Sequence, residues 1–235
     1  MNVKLPDDQT LWFRNLPPKA SDEGSEKMQD SAEKEPEVEL FIEPLTGLAI
    51  PMDALRRVQY ECVQIDDDIR WLVALVSDTG MRLAEAAGLS VSDFNLQADI
   101  PFVEVRKHPW RSLKTSASAR VIPLSGMALW AAQRILQEAG TSSYAFPRYN
   151  RGSRTSANSA SAAINKWLKN YVPTGCTMHS FRHSMRDRLR AVQCPSDVAD
   201  QIGGWATDGV GQGYGARYPI EVLLEWMEKV VVGLD

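Results

Sequence analysis

Residues 177–190 read TMHSFRHSMRDRLR and concentrate positive charge on what the sequence predicts to be a single helix. The segment holds two of the three histidines of the chain and four arginines, although the whole protein has a formal net charge of −4. His179 and Arg182 are three residues apart and therefore share one helix face. We expect both near the helix start, with Thr177 as the N-cap, where free N–H groups and the helix dipole favour an anion.

Two other interpretations of this segment stay open. Arg182 could pair with a carboxylate and His179 could be a satisfied core residue, although Asp187 is the only acidic residue nearby in the sequence. His179 and His183 are four residues apart, a spacing that also suits a metal ion. The segment lacks the glutamate of an HExxH zinc motif, and only His108 remains as a further histidine ligand, so the sequence favours a phosphate over a metal.

Charge is segregated along the chain. Residues 1–47 contain five basic and eleven acidic residues, whereas residues 106–190 contain fifteen lysines and arginines against two acidic residues. A basic block of this size on an acidic protein is typical of a polyanion partner such as nucleic acid, and the alternative is an ordinary solvated surface. Arg148, Arg151 and Arg154, in the loop-like stretch RYNRGSRTSANSAS, are candidates for DNA contact.

Composition bounds the class of protein and its domain organisation. A chain of 235 residues with 44% hydrophobic and 24% charged residues predicts a globular protein of one or two domains. We expect residues 1–47 to be an acidic, partly disordered linker or the remnant of an N-terminal core-binding region, and residues 48–235 to form the folded domain. Three widely spaced cysteines form neither a disulfide framework nor a metal knuckle, which favours a reducing intracellular setting. We expect no secretory signal and no membrane helix.

Hydrophobic periodicity predicts a mainly α fold with a small antiparallel β-sheet (α+β). Helical spacing is found in PMDALRRVQYECVQ, IRWLVALVSDTG, MRLAEAAGLSVSDF, GMALWAAQRILQEAG and SAAINKWLKNYV, and the third of these predicts a short helix that ends near Gly88. FVEVR (102–106) and RVIPL (120–124) are β-branched runs that predict an antiparallel pair with a long basic connection. After residue 190 we expect short apolar turns, then a Gly-rich stretch, and an amphipathic C-terminal helix in PIEVLLEWMEKVVVGL.

Two further segments carry basic candidates. Arg82 follows Gly80 at a predicted helix start, and Glu85 lies one turn further on, where it could orient the guanidinium; the alternative is an exposed surface pair. Lys114 precedes the second strand of the predicted pair and could donate a proton to a leaving group, with Lys107 as the runner-up. A solvated loop lysine is the alternative for either one.

A glycine-flanked tyrosine and a short acidic run are the remaining candidates. Tyr214 has glycine on both sides within IGGWATDGVGQGYGARYP, which predicts a nucleophile on a movable segment rather than a core residue, with Tyr218 as its nearest competitor. The acidic run Asp66-Asp67-Asp68 predicts a turn or a helix start rather than a metal site.

The order Arg, Lys, His-x-x-Arg, Trp, Tyr resembles the tyrosine recombinases, the phage integrase family. TGMRLAEAAGLSVSDF resembles the first arginine box of the family, LKTSASARVIPL its hairpin-lysine segment, and HSFRH its His-x-x-Arg-His box. IGGWATDGVGQGYG resembles the closing box, in which His or Trp precedes the tyrosine by nine residues. That spacing from Trp205 selects Tyr214 over Tyr218, and Trp205 stands where most members have His. The resemblance runs from about residue 50 to the end.

The resemblance implies site-specific DNA recombination, for example the integration or excision of a phage, by strand cleavage through a 3′-phosphotyrosyl intermediate without metal, ATP or other cofactor. The catalytic residues that it implies are Arg82, Lys114, His179, Arg182, Trp205 and Tyr214. The residues given a supporting or DNA-binding role are Glu85, His183, Lys107, Arg111, Arg148, Arg151 and Arg154. Two alternatives remain, a type IB topoisomerase and a catalytically inactive DNA-binding regulator.

The resemblance also implies partners. They are a double-stranded DNA attachment site, three further copies of the chain in a tetramer on DNA, and accessory DNA-bending or directionality proteins, in the cytoplasm and nucleoid of a bacterial host. We expect a monomer in free solution. The C-terminal helix either packs on its own domain or, as the resemblance suggests, docks on a neighbouring protomer. Because residues 1–47 are too short and acidic for the additional DNA-clamping domain of the family, we expect weak DNA binding with a steep salt dependence.

Overall fold

The structure, a computed structural model, describes residues 48–114, 118–205 and 217–233, all of which fall within one compact unit of the chain. The helices of this part are α1 (Met52–Ile65), α2 (Asp68–Thr79), α3 (Leu83–Ala87), α4 (Gly126–Glu138), α5 (Ala157–Leu168), α6 (Ser180–Ala191), α7 (Ser196–Gly203) and α8 (Ile220–Glu228). The strands are β1 (Phe94–Asn95), β2 (Phe102–Val105), β3 (Arg120–Pro123), β4 (Asn150–Arg151) and β5 (Arg154–Thr155). The predicted mainly α fold with a small antiparallel sheet is confirmed.

Helix α2 forms the centre of the core. Every residue from Leu72 to Thr79 is buried, and the helix packs against α1, α4 and α6. Full burial of a leucine side chain such as Leu75 contributes about 1.5–3 kcal/mol relative to exposure. Asp67 caps the helix, because its carboxylate accepts the backbone N–H of Arg70 at 3.0 Å. This confirms the interpretation of the acidic run as a helix start.

The end of α2 requires glycine. Gly80 adopts the left-handed conformation at φ 62°, and a Cβ atom there would lie 2.9 Å from the Met185 side chain. The close approach brings α2 and α6 together, and the chain then turns directly into the segment that carries Arg82. The first arginine segment and the His-x-x-Arg segment are therefore neighbours in the fold.

The larger sheet has the strand order β1-β2-β3, and both pairs are antiparallel. Val103 lies opposite Ile122, and both side chains are fully buried. The predicted pairing of the two β-branched runs is thus confirmed, whereas β1 was missed, because a strand of two residues has no measurable periodicity. Val105 lies opposite Arg120, which is the first residue of β3.

Several boundaries differ from the sequence-based expectations. The loop-like stretch after residue 147 contains the hairpin β4–β5 and the first turn of α5. Helix α6 begins at Ser180, because residues 177–182 first form tight turns in which the Ser180 and Arg182 N–H groups bond to carbonyls three residues back. The expected short apolar turns are helix α7, too short to be recognised from periodicity. None of the described helices is long and apolar enough to span a membrane.

Candidate active site

Arg82 and Glu85 form one unit at the start of α3. Arg82 occupies the N-cap position, and its backbone N–H donates to Glu85 Oε2 at 3.1 Å. The Arg82 guanidinium donates to Glu85 Oε1 at 2.7 Å. The Glu85 side chain is only 5% exposed and that of Arg82 is 25% exposed. The pair is therefore not an exposed surface pair: Glu85 is buried and fixes the direction of a guanidinium that keeps one part open.

Arg182 is buried in the first turn of α6 and is held by backbone carbonyls. Its Nη1 atom donates to Gly80 O at 2.8 Å and to Gly203 O at 2.6 Å, and Nη2 donates to Gly204 O at 3.4 Å. Within the described part of the chain, no carboxylate lies within ion-pair distance of Arg182. The alternative in which Arg182 pairs with an acidic residue is therefore wrong for these residues.

The two arginines predicted from the sequence meet at the end of α7. Gly204 O accepts from Arg82 Nη2 at 3.3 Å as well as from Arg182. The two residues are 100 positions apart in the chain, and the shared carbonyl brings their guanidinium groups to one place. Two adjacent planar guanidinium groups match the nonbridging oxygens of a phosphate.

A third guanidinium, that of Arg120, was missed in the sequence. Arg120 lies on β3 with a side chain only 2% exposed, and Nη2 donates to Glu85 Oε2 at 3.0 Å. Arg82, Arg120, Arg182 and Glu85 are called the arginine cluster below. The only sequence signal was the position of an arginine in a β-branched run, which is not sufficient to predict burial beside Glu85.

The arginine cluster holds more positive than negative charge. Burial, and then the charges of Arg82 and Arg120, lower the pKa of Arg182 to about 9. Burial opposes ionisation of Glu85, but the Arg120 charge and the hydrogen bonds from Arg82 and Arg120 outweigh it and lower the pKa of Glu85 below its usual value. Arg182 thus stays protonated and Glu85 ionised at neutral pH, and the surplus of arginines over carboxylates favours an anion as ligand.

Trp205 lies beside the arginine cluster. The Arg182 guanidinium carbon is 4.7 Å from the centroid of the Trp205 ring, and that of Arg186 is 5.3 Å from it. The half-buried ring therefore makes cation–π contacts with two arginines of the same helix. Trp205 thus packs against the arginine cluster, and its catalytic role stays a prediction.

His179 lies at the N-cap of α6 and is exposed, so it is not a core residue. Its ring centroid is 5.0 Å from that of His183 in an edge-to-face arrangement. Partial burial, and then the charges of His183, Arg182, Arg82 and Lys114, lower the pKa of His179 below its usual value. His179 is therefore neutral at pH 7 and able to accept a proton.

Lys114 and Tyr214 are the remaining residues of the implied catalytic set. Lys114 is exposed, and its charge contributes to the lowering of the pKa of His179. Tyr214 lies outside the described residues, so its role stays a prediction.

The other basic candidates divide into three kinds. Arg111 is buried and donates to Glu85 O at 2.8 Å and to Arg106 O, a placement that suits support of α3 rather than DNA contact. Arg148 is exposed and pairs with Asp68 at 2.6 Å. The exposed candidates with no ion pair among the described residues are Lys107, Arg151 and Arg154.

Comparisons with known proteins identify the family of the chain and its fold. The family model described as "Phage integrase family" matches residues 52–219. No curated protein sequence matches the chain significantly. Among solved structures, the chain is similar to XerH site-specific recombinase bound to a palindromic difH substrate, with 16% identity and a TM-score of 0.53 over 68% of this chain and 47% of that one.

Two further solved structures are similar. XerA recombinase has 21% identity and a TM-score of 0.53, covering 68% of this chain and 55% of that chain. The Tn1549 transposon integrase in complex with a circular intermediate DNA has 18% identity and a TM-score of 0.51, covering 75% of this chain and 62% of that chain. These likenesses show the fold, and this chain spans about half the length of the first of them. Because the family model matches most of its length, the chain belongs to the phage integrase family.

Proposed function

We propose that this chain catalyses site-specific DNA strand cleavage and rejoining through a covalent 3′-phosphotyrosyl intermediate. The observation that supports this most is the arginine cluster. Two of its guanidinium groups bond to the Glu85 carboxylate, and the third, that of Arg182, shares the Gly204 carbonyl with Arg82. A phosphodiester carries one negative charge, and attack on phosphorus places more charge on its nonbridging oxygens. Donors fixed in advance at that position stabilise the transition state more than the ground state.

In the proposed reaction, the Tyr214 hydroxyl oxygen forms a bond to phosphorus while the bond from phosphorus to the 5′ oxygen breaks. His179 accepts the tyrosine proton, and Lys114 donates a proton to the leaving 5′ oxygen. Arg82 and Arg182 bind the nonbridging oxygens. The phosphotyrosyl bond replaces one phosphodiester bond, so attack by a 5′ hydroxyl group rejoins DNA without ATP or a metal in the scheme.

The contacts of Tyr218 support Tyr214 as the nucleophile. The Tyr218 hydroxyl donates to the Asp197 carboxylate, and its backbone N–H donates to Gln201 Oε1 at 2.9 Å. The hydrogen bond to Asp197 raises the pKa of Tyr218, which makes its anion harder to form. Tyr218 is thus bound to α7 by groups that oppose its use as a nucleophile.

The proposed partner is double-stranded DNA, which fits a basic surface on two adjoining hairpins. Lys107 lies in the connection between β2 and β3, whereas Arg151 and Arg154 lie on β4 and β5. The Thr155 N–H joins the two hairpins by donating to Trp110 O at 3.1 Å. Three exposed cations without a carboxylate partner among the described residues are suited to neutralise DNA phosphates.

The assembly and cellular context are part of the same proposal. We propose that residues 48–235 are the catalytic domain and residues 1–47 a linker, and that four copies act together on an attachment site in a bacterial cell, with accessory DNA-bending or directionality proteins. In the single chain, α8 packs on β3 of its own domain and buries Leu223 and Met227. Transfer of this helix to a neighbouring protomer stays a prediction.

The test uses fluorescent nicked duplexes that the protein itself selects from a randomised pool. We expect the full chain to give a slowly migrating, protease-sensitive DNA band on a denaturing gel. Tyr214→Phe should abolish the band and Tyr218→Phe should retain it. Loss of the band only in Tyr218→Phe would show that Tyr218, and not Tyr214, is the nucleophile.

Two outcomes would select the alternative functions. Relaxation of a supercoiled plasmid that lacks the selected site, at the rate seen with the site present, would indicate a type IB topoisomerase. Selective DNA binding without any covalent band would indicate a regulator that has lost catalysis.

A further inference from the structure

Arg120 is the most completely enclosed of the three arginines in the cluster. Besides its bond to Glu85, its Nε atom donates to Ile202 O at 2.9 Å and Nη1 donates to Ser118 O at 2.8 Å. One side chain thereby joins β3, the start of α3, the last turn of α7 and the segment that follows Lys114 in the chain. These are the elements that carry Lys114, Arg82 and Trp205.

The turn before Trp205 is shaped around the Arg120 guanidinium. Gly204 has φ 59°, and a Cβ atom at this position would lie 2.7 Å from Arg120 Nη1. The carbonyl of Gly204 in turn accepts hydrogen bonds from Arg82 and Arg182. Arg120 therefore packs against the turn whose carbonyl positions both of the other guanidinium groups.

Arg120 also determines which oxygen of the Glu85 carboxylate is available to the Arg82 guanidinium. Glu85 Oε1 accepts from Arg82 Nη1, whereas Oε2 accepts from Arg120 Nη2 and from the Arg82 backbone N–H. A buried carboxylate with a free oxygen would attract both arms of the Arg82 guanidinium, because arginine binds carboxylates in a two-pronged manner. Occupation of Oε2 by Arg120 leaves the Arg82 guanidinium with one hydrogen bond to Glu85, and the Arg82 side chain stays partly exposed to solvent.

We propose that Arg120 is a positioning residue of the active site, which occupies Glu85 and supports the Gly203–Gly204 turn so that Arg82 stays available to a phosphate. The proposal rests on the proposed function. Arg120 does not touch the DNA, because its side chain is enclosed by protein. Its loss should thus lower the rate of strand cleavage rather than the affinity for DNA.

Charge gives the proposal a readout that loss of packing does not share. The charged groups facing Glu85 are Arg82, Arg120, Arg111 and Arg182. Arg120 supplies the largest of the effects that lower the pKa of Glu85 against the opposing effect of burial. Without Arg120, Glu85 should take up a proton at higher pH. Above that pH the ionised carboxylate draws Arg82 toward itself, and below it the protonated carboxyl no longer holds Arg82 in place. The largest charges that lower the pKa of His179 are those of His183, Arg182, Arg82 and Lys114, so loss of Arg120 should affect the histidine less than it affects Glu85.

The experiment compares Arg120→Met with Arg120→Lys in the full chain, on the nicked duplexes described above. Arg120→Met should form the covalent complex about 10- to 100-fold more slowly, as is usual when a partner that orients a site group is lost, with the Kd for the duplex within about twofold of wild type. The acid limb of its pH–rate profile should move to higher pH. Arg120→Lys retains the charge, so it should keep the wild-type acid limb and recover about tenfold of the rate.

The matched control is Arg188→Met, which removes another buried arginine that pairs with a buried carboxylate, Asp78, at 3.0 Å. It should lower the melting temperature as Arg120→Met does, but leave the pH–rate profile unchanged when measured below that temperature. Equal rates and pH profiles for the two methionine variants would overturn the proposal. So would a loss that lies wholly in the Kd for DNA.

A second measurement separates this proposal from the proposed function. Sulfate binding to the wild type and the Arg120 variants is followed by calorimetry, and Arg120→Met should weaken it about fivefold or more, because Arg82 is withdrawn toward Glu85. A wild-type chain that forms no covalent complex, while Arg120→Met still weakens sulfate binding, would refute the proposed function and support the role of Arg120. Unchanged sulfate affinity in Arg120→Met, or no binding of sulfate by the wild type, would refute the role of Arg120.

Discussion

Helix α6 contributes arginines to two buried sites that differ in their balance of positive and negative charge. Arg188 pairs with Asp78 at 3.0 Å, and both side chains are nearly inaccessible, at 7% and 1% exposure. The remaining bonds of Asp78 come from Gln59 Nε2 at 3.0 Å and the Met127 N–H at 2.9 Å. One cation and one anion thus neutralise each other at this site, which lies between α2, α6 and the segment after α8.

The arginine cluster, by contrast, sets three cations against the single carboxylate of Glu85, which bonds to Arg82 and Arg120. A balanced buried pair has little to offer a ligand, since each charge is already satisfied, and its loss is felt as instability. In an unbalanced cluster, like charges lie close together away from water, which raises the free energy of the site. Binding of an anion from solution lowers that free energy. The ratio of charges at a buried site therefore separates a structural arginine from one that binds, although both occur within one helix.

The largest expected effect is on catalysis at the unbalanced site. Arg182→Lys keeps the charge but loses the planar fork, so covalent-complex formation should fall by about 10²–10³-fold, as for loss of a direct transition-state donor. Single-turnover gels measure the rate. Arg190→Lys, at an exposed position of the same helix, should react like wild type. Near-normal cleavage by Arg182→Lys would show that the unbalanced site does not differ from the Arg188–Asp78 site in its importance for catalysis.

The balanced site should respond in stability instead. Asp78→Asn leaves Arg188 buried beside a neutral partner, so the free energy of unfolding should decrease by about 3–5 kcal/mol. Urea denaturation measures the change, and the cleavage rate well below the melting temperature should stay within about twofold of wild type. A chain that keeps its stability but loses cleavage would show that the Arg188–Asp78 pair also serves the active site.

The pH dependence of cleavage should reflect His179. Its lowered pKa means that it is neutral above its usual titration range and becomes protonated only at lower pH. A protonated histidine cannot accept the tyrosine proton, so the rate should be level near neutral pH and fall about tenfold per pH unit below the pKa of His179. His179→Gln should be slower and lack this limb. A wild-type rate that rises as the pH is lowered would contradict the assignment.

The smallest effect should be on the salt dependence of DNA binding. If the chain neutralises about six phosphates, the slope of log K against log salt should be near −5. Arg151→Gln removes an arginine without a carboxylate partner among the described residues, so it should reduce the slope by about one. Arg134→Gln removes one that already pairs with Asp66 at 2.9 Å, and should leave the slope unchanged. Equal changes in both would mean that pairing does not predict DNA contact.

Local features of the site were predictable where they depend on residues near one another in sequence. Spacing placed Glu85 one turn after Arg82, and the structure joins them by two hydrogen bonds. Spacing also placed His179 and Arg182 at the start of one helix, although α6 begins three residues later than its proposed Thr177 cap. Arg111 was assigned only as a supporting or DNA-binding residue, because nothing in its immediate sequence indicates that it is buried beneath α3.

Periodicity and composition were enough to predict the helical and β character of the chain, the order of its motifs and the segregation of its charge. Which charges meet, however, depends on how the elements pack. Arg182 bonds to carbonyls 102 and 21 positions away, and Arg120 bonds to a carboxylate 35 positions away. Alternation along a strand indicates which side a residue faces but not what lies opposite. The balance of three arginines against Glu85 therefore exists only once α3, β3, α6 and α7 have packed together.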